Sequence, residues 1–122
     1  MDSARTPSYA IGEMAAGLRP GDVPAAVVER ARLHILDALG LGLAASVQDF
    51  GISAVRGAAA MGASGQCSVI GRPERLDMRD AALVNGVLTH GLDFDDTHLA
   101  SIIHATVTAL PAALALGEAR DV

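Results

Sequence analysis

The side chains best able to move protons are concentrated in one short stretch, His90-Gly91-Leu92-Asp93-Phe94-Asp95-Asp96-Thr97-His98, with His104 six residues further on. Three carboxylates within four positions repel one another, which disfavours ionising all three together. Such crowding is one way a protein obtains both an acid and a base from a single residue type. His90, His98 and His104 flank the acids, and imidazole exchanges protons most readily near neutral pH. The expected chemistry is proton transfer, with His104 and Asp93 as the candidate catalytic pair and Thr97, Asp96, His98 and His90 as candidate substrate contacts.

Other readings of these residues compete. An Asp-rich loop between helices also serves to cap helices, with Asp95 or Asp96 accepting from backbone N–H groups. Asp and His at close spacing can ligate a metal, but D-x-D-D-x-H matches neither the Gly and distal Glu of an EF-hand nor the one-turn His pair of H-E-x-x-H. No metal is therefore assigned, and a metal-dependent hydrolase stays open as a minor alternative. His34 lies alone in the middle of a helical pattern and is read as a core or helix-surface residue. Leu92 and Phe94 are read as packing residues, and Asn85-Gly86 as a place where helices approach closely.

Positioning such a loop requires rigid elements on both sides, and the punctuation of the chain supplies them. A short helix over Tyr9 to Leu18 is closed by the turn Arg19-Pro20-Gly21-Asp22. Pro24 stands where a helix start tolerates a missing N–H, with Asp22 available as cap, and the helix it opens extends to about Ala45. Its stripe of Val28, Ala31, Ile35, Leu39 and Gly42 or Leu43 has helical spacing. Its second half, LDALGLGLAAS, is apolar all round, which predicts burial. A third helix is expected over Ile52 to Met61. The β-branched run near Ser68 to Ile70 reads as a single strand whose pairing must come from outside the chain. Asp77 then caps a helix over Met78 to His90, and a last helix covers Ala105 to Ala119, bent or started at Pro111. The predicted class is all-α, a helical bundle with at most one short strand, in one domain spanning residues 1–122.

Composition narrows the function further. The chain is 51% hydrophobic but only 2% aromatic, so its core is Ala, Leu, Val and Ile, which suits closely packed helices. A net charge of −5 leaves no basic stripe for a phosphate backbone, so no nucleic-acid partner is expected. Ser101 to Gly117 is nearly free of formal charge, but it barely reaches spanning length and contains Thr, His and Pro, so no membrane span is expected. One Cys, Cys67, and a polar start without a signal-peptide pattern lead to a cytoplasmic expectation.

The run NGVLTHGLDFDDTHLASIIHATVTALPAALALGEA resembles the signature of the MmgE/PrpD family, the family of 2-methylcitrate dehydratase and cis-aconitate decarboxylase. ARLHILDALGLGLAAS is similar to that family's long second helix, and CSVIGRPERLDMRDAALVNG to its short strand and following helix. The resemblance implies an amino-terminal helical domain and chemistry on small di- or tricarboxylates by dehydration, decarboxylation or epimerisation, without a metal or organic cofactor. It makes Asp93 and Thr97 catalytic or substrate-contacting and His104 the active-site histidine. Where the family has His-Pro-Ser, this chain reads His104-Ala105-Thr106, keeping the imidazole and a hydroxyl but not the Pro.

A carboxylate substrate calls for cations, yet the chain has no Lys, and no Arg lies between Asp80 and Glu118. The resemblance implies that these cations come from further along a longer chain. Two expectations follow: the chain is the helical half of a lyase or isomerase and binds a complementary carboxy-terminal half, or it is a non-catalytic remnant or oligomerisation module. Its surplus of apolar helix surface predicts self-association, with a homodimer expected.

Overall fold

The structure, a computed structural model, describes residues 6–62 and 64–122. It is all-α in character, and the chain divides into two compact units, Met1–Arg32 and Leu33–Val122. In the first unit α1 (Pro7–Gly17) starts where the Thr6 side chain accepts from the Tyr9 N–H at 3.3 Å, and none of its residues is buried. A 3-10 turn over Pro20–Asp22 follows. Asp22 does not cap the next helix, because its carboxylate accepts from the Arg19 N–H at 3.2 Å. The Pro24 carbonyl opens α2 (Ala25–Ala45) instead, accepting from the Val27 and Val28 N–H groups.

The second unit holds the remainder of α2, α3 (Asp49–Ala60), α4 (Met78–His90) and α5 (Ala105–Arg120). Two very short strands, β1 (Cys67–Ser68) and β2 (Arg75–Leu76), pair antiparallel with Cys67 opposite Leu76. The strand expected near Ser68 thus finds its ladder partner inside the chain. The next turn of backbone pairs with a side chain, since Asn85 on α4 accepts from Ile70 N–H and donates to Ser68 C=O, both at 2.9 Å. One amide thereby stands in for a third strand and satisfies buried backbone groups that would otherwise be costly.

The core lies where α4 meets α3, α5 and the strands, and it gathers Val55, Cys67, Val69, Leu76, Ala81, Val84, Leu88 and Ala115. Asp77 caps α4 as its position suggested, accepting from the Asp80 N–H at 2.9 Å. At the other end of α4, the Phe50 ring occupies the space a Cβ on Gly91 would need, so glycine lets α3 press against the end of α4. Helix α5 runs through Pro111 without ending. The proline removes the bond to the Val107 carbonyl one turn back, and that oxygen faces Gly86, 3.9 Å from where its Cβ would be. Gly86 thus lies against α5, but at a distance a methyl group would also tolerate, so the close approach expected at Asn85-Gly86 does not require the glycine.

One expectation fails. The second half of α2 is not buried all round: Ala38, Gly42 and Ala45 face inward, but Leu33, Leu36 and Leu43 remain more than half exposed. Among the described residues, too few other elements lie against that helix to cover both its sides. Among the described residues no single helix is long and apolar enough to cross a membrane.

Candidate functional site

Helix α4 ends at His90 and α5 begins after His104, so the loop between them hangs from the two most closely packed helices of the unit. The loop turns sharply at Asp93, whose φ of 55° is left-handed, a conformation Asp tolerates better than most residues. The Asp93 N–H is held by the His90 carbonyl at 2.8 Å. Beyond it, His98 and Ile103 form an isolated antiparallel bridge, closed by a turn in which Ile102 adopts a φ of 52°. For a β-branched residue that conformation is strained.

This path brings Asp95 beneath both helix ends. Its side chain is 1% exposed, against 50% for His90 and 26% for His104. His90 Nδ1 lies 3.0 and 3.1 Å from the two Asp95 oxygens, and His104 Nδ1 lies 3.0 Å from Oδ2. The two rings stand 4.8 Å apart, tilted by 59°. Thr97 Oγ1 donates to the Asp95 carbonyl at 3.3 Å and sits 3.5 Å from His104 Nδ1. Asp93 joins the group, because His90, Asp93, Asp95 and His104 each place a potential ligand atom within 4.8 Å of the others. Two imidazoles and two carboxylates are a suitable donor set for a divalent transition metal. The same groups, without an ion, are suited to accepting and returning a proton.

The other candidate residues lie differently. Asp96 Oδ1 accepts from the Thr106 N–H at 3.3 Å, in the first turn of α5, where the free N–H groups and the helix dipole favour an anion. Its Oδ2 lies 4.0 Å from His34 Nδ1, so His34, read as a plain helix residue, in fact reaches the edge of the site. His98 is exposed on the turn, with Nδ1 2.6 Å from Ser101 Oγ, and takes no part in the cluster. Asp93, His104, His90 and Thr97 thus come together, while Asp96 and His98 serve helix and turn. Asp95, considered from sequence only as a capping acid, is the hub. Nothing local marks which of three neighbouring acids will be buried, since that is decided by how α4 and α5 close over the loop.

The surroundings are acidic and apolar. Among the described residues, none of Asp93, Asp95 and Asp96 pairs with an Arg. Arg72, Arg75 and Arg79 sit around the start of α4, engaged by Glu74, by the Gln66 carbonyl with Ser68, and by Asp80. About 18 Å of helix separates that end from His90. Phe94, Leu99 and Ile102 are 79–85% exposed on the same loop. A cavity lined by Cys67, Asp77, Met78 and Ala119 opens at the start of α4 and shares no residue with the cluster.

Comparison with known proteins places this loop in context. The sequence matches the MmgE/PrpD N-terminal domain over residues 9–122. It is 34% identical over 104 residues to a cis-aconitate decarboxylase-like protein of Aspergillus oryzae, covering 85% of this chain and 22% of that protein. It is 36% identical over 105 residues to the cis-aconitate decarboxylase of Homo sapiens, covering 84% and 21% respectively. For the cis-aconitate decarboxylase of Aspergillus terreus the identity is 29% over 104 residues, covering 85% and 21%. The chain spans about a fifth of the length of the curated relatives it matches.

Proposed function

The chain belongs to the MmgE/PrpD family, and from that premise we propose that it supplies the proton-transferring half of a lyase or isomerase acting on small di- or tricarboxylates. Two of these relatives are named as cis-aconitate decarboxylases and one as cis-aconitate decarboxylase-like, which makes cis-aconitate the first substrate to test. The observation that carries the reading is the convergence of His104, His90 and Asp93 at one loop, with the Thr97 hydroxyl beside His104. Dehydration needs a base to remove a proton next to a carboxylate and an acid to protonate the leaving hydroxyl. Decarboxylation breaks a carbon–carbon bond, leaves its electron pair on carbon, and needs an acid to place a proton there. In this reading His104 carries the proton, Asp93 partners it, and Thr97 offers a neutral donor to a substrate carboxylate.

The substrate is anionic and so is the loop. A like-charge contact at ~4 Å costs about 1 kcal/mol in water and about 4 kcal/mol at the effective dielectric of a protein surface. The opposing cations are therefore assigned to a partner, a complementary carboxy-terminal half, which would also cover Phe94, Leu99 and Ile102. The test is proton NMR of the purified chain with cis-aconitate, citrate or 2-methylcitrate, repeated after adding the whole remainder of a related enzyme beyond the fifth that this chain matches. No turnover alone and turnover on mixing is the expected result; turnover by the chain alone would refute the need for a partner.

The exposed Leu33, Leu36 and Leu43 favour a second reading, a non-catalytic module that dimerises through α2. Sedimentation as a stable dimer, with no mixture ever yielding turnover, would select it.

A further inference from the structure

We propose that His90, Asp93, Asp95 and His104 form a binding site for one divalent transition-metal ion of the zinc class, which takes over the side chains that proton transfer would use. Each of the four places a potential ligand atom within 4.8 Å of the other three. Around tetrahedral zinc, with ligand distances of about 2.0–2.2 Å, neighbouring ligand atoms stand about 3.3–3.6 Å apart. His90 Nδ1 and His104 Nδ1 already lie 3.0 Å from oxygens of Asp95, so those gaps need only open slightly. The wider gaps must close by little more than an ångström. Asp95 is held by burial, its side chain 1% exposed, whereas His90 and Asp93 are exposed. The ligands free to move therefore lie on the solvent side, which is also the entry path for an ion.

The donor set and the charge both point to such a cation. Half of the ligands are imidazoles, and they come from rigid helix ends, since His90 is the last residue of α4 and His104 stands at the cap of α5. Calcium and magnesium take six or more oxygens, whereas zinc takes nitrogen and oxygen ligands in fours. With its imidazoles neutral the group carries two negative charges, one on a buried carboxylate, and among the described residues no Arg pairs with either acid. A divalent ion cancels that charge and displaces the hydrogen that joins His90 Nδ1 to Asp95. The spacing His-x2-Asp-x-Asp-x8-His matches no familiar metal motif because the site closes only when α4 and α5 pack together.

A bound ion ties up the lone pairs of His104 and Asp93, so at this loop occupancy and proton transfer exclude one another. The site itself is argued from geometry, and only this inhibitory meaning rests on the lyase reading. The experiment is titration of the chelator-stripped 122-residue chain with zinc chloride by calorimetry, and with cobalt(II) followed by its visible spectrum. One zinc ion per chain at micromolar or tighter affinity is expected, together with the intense absorption of four-coordinate cobalt. His90→Ala and His104→Ala should each weaken zinc binding by ~10-fold or more, while His98→Ala, which removes an imidazole outside the group, should leave it within about twofold. In the unsubstituted chain, nitrogen-15 NMR should show the His90 and His104 imidazoles moving on zinc addition and His98 staying still, a readout that needs no variant to fold. No binding at submillimolar zinc, binding that persists in both His90→Ala and His104→Ala, shifts confined to His98, or the weak absorption of six-coordinate cobalt would each overturn the proposal. Occupancy is read without substrate or partner, so its failure is distinguishable from failure of the lyase reading.

Discussion

At the start of α4 every charged group has found a partner: Asp77 accepts from the Asp80 N–H, Arg79 grips Asp80 with two bonds of 2.8 and 3.1 Å, and Glu118 on α5 holds the Ser68 backbone and hydroxyl. At the end of the same helix, Asp93, Asp95 and Asp96 gather around histidines with no Arg pairing among the described residues, and Phe94, Leu99 and Ile102 point into solvent. Thirteen residues of one helix separate a finished surface from an unfinished one. The contrast is between charges balanced by Arg at one end and charges balanced by imidazoles and a backbone N–H at the other.

The core-facing side of α4 should prove most sensitive. Leu88 is fully buried, and Leu88→Ala should destabilise folding by about 2–5 kcal/mol in urea titration; a loss below 1 kcal/mol would mean the core is looser than drawn. At the unfinished end, His104→Ala and Asp93→Asn should each cut turnover of a reconstituted enzyme by ~100-fold or more while leaving the melting temperature of the chain nearly unchanged. Equal damage to stability would erase the distinction between the two ends. The finished end makes a pH prediction. The Ser68 hydroxyl, and then its N–H, hold the Glu118 carboxyl below its ordinary value of 4.5. A carboxyl depressed in the folded state stabilises fully above its unfolded pKa and loses that contribution as pH falls through the folded one. Below about pH 4.5, Glu118→Gln should therefore converge with the parent chain, and at neutral pH it should be less stable by about 0.5–1 kcal/mol after solvent screening. The smallest effect is expected from Phe94→Ser and Leu99→Ser, within about 0.5 kcal/mol in the isolated chain, yet both should weaken capture of a carboxy-terminal half in a pull-down.

Much of this was legible in the sequence because it is local. Asp77 as cap, the helix from Met78 to His90 and the loop after it follow from residue types at fixed offsets. Four of the candidate site residues were legible as a set, since His90, Asp93, Thr97 and His104 do meet. What the sequence concealed is tertiary. Asn85 doubling as a strand partner, the pairing of Ser68 with Arg75, the burial of Asp95 in preference to its neighbours, and His34 reaching Asp96 across the fold all depend on distant elements closing together. The all-apolar pattern of α2 predicted a buried helix, but burial needs neighbours as well as hydrophobicity.

Cys67 supplies a consequence of a different kind. It is the chain's single cysteine, 1% exposed, with its sulfur 3.4 Å from the Ala115 carbonyl of α5. It borders the cavity at the start of α4 but is almost closed off, so a thiol-specific dye labels it slowly, and faster when the contact with α5 comes apart. The chain thus carries a built-in clock for its own opening: the labelling rate, read with and without a carboxy-terminal partner, reports how far completing the loop at one end of α4 slows breathing at the other.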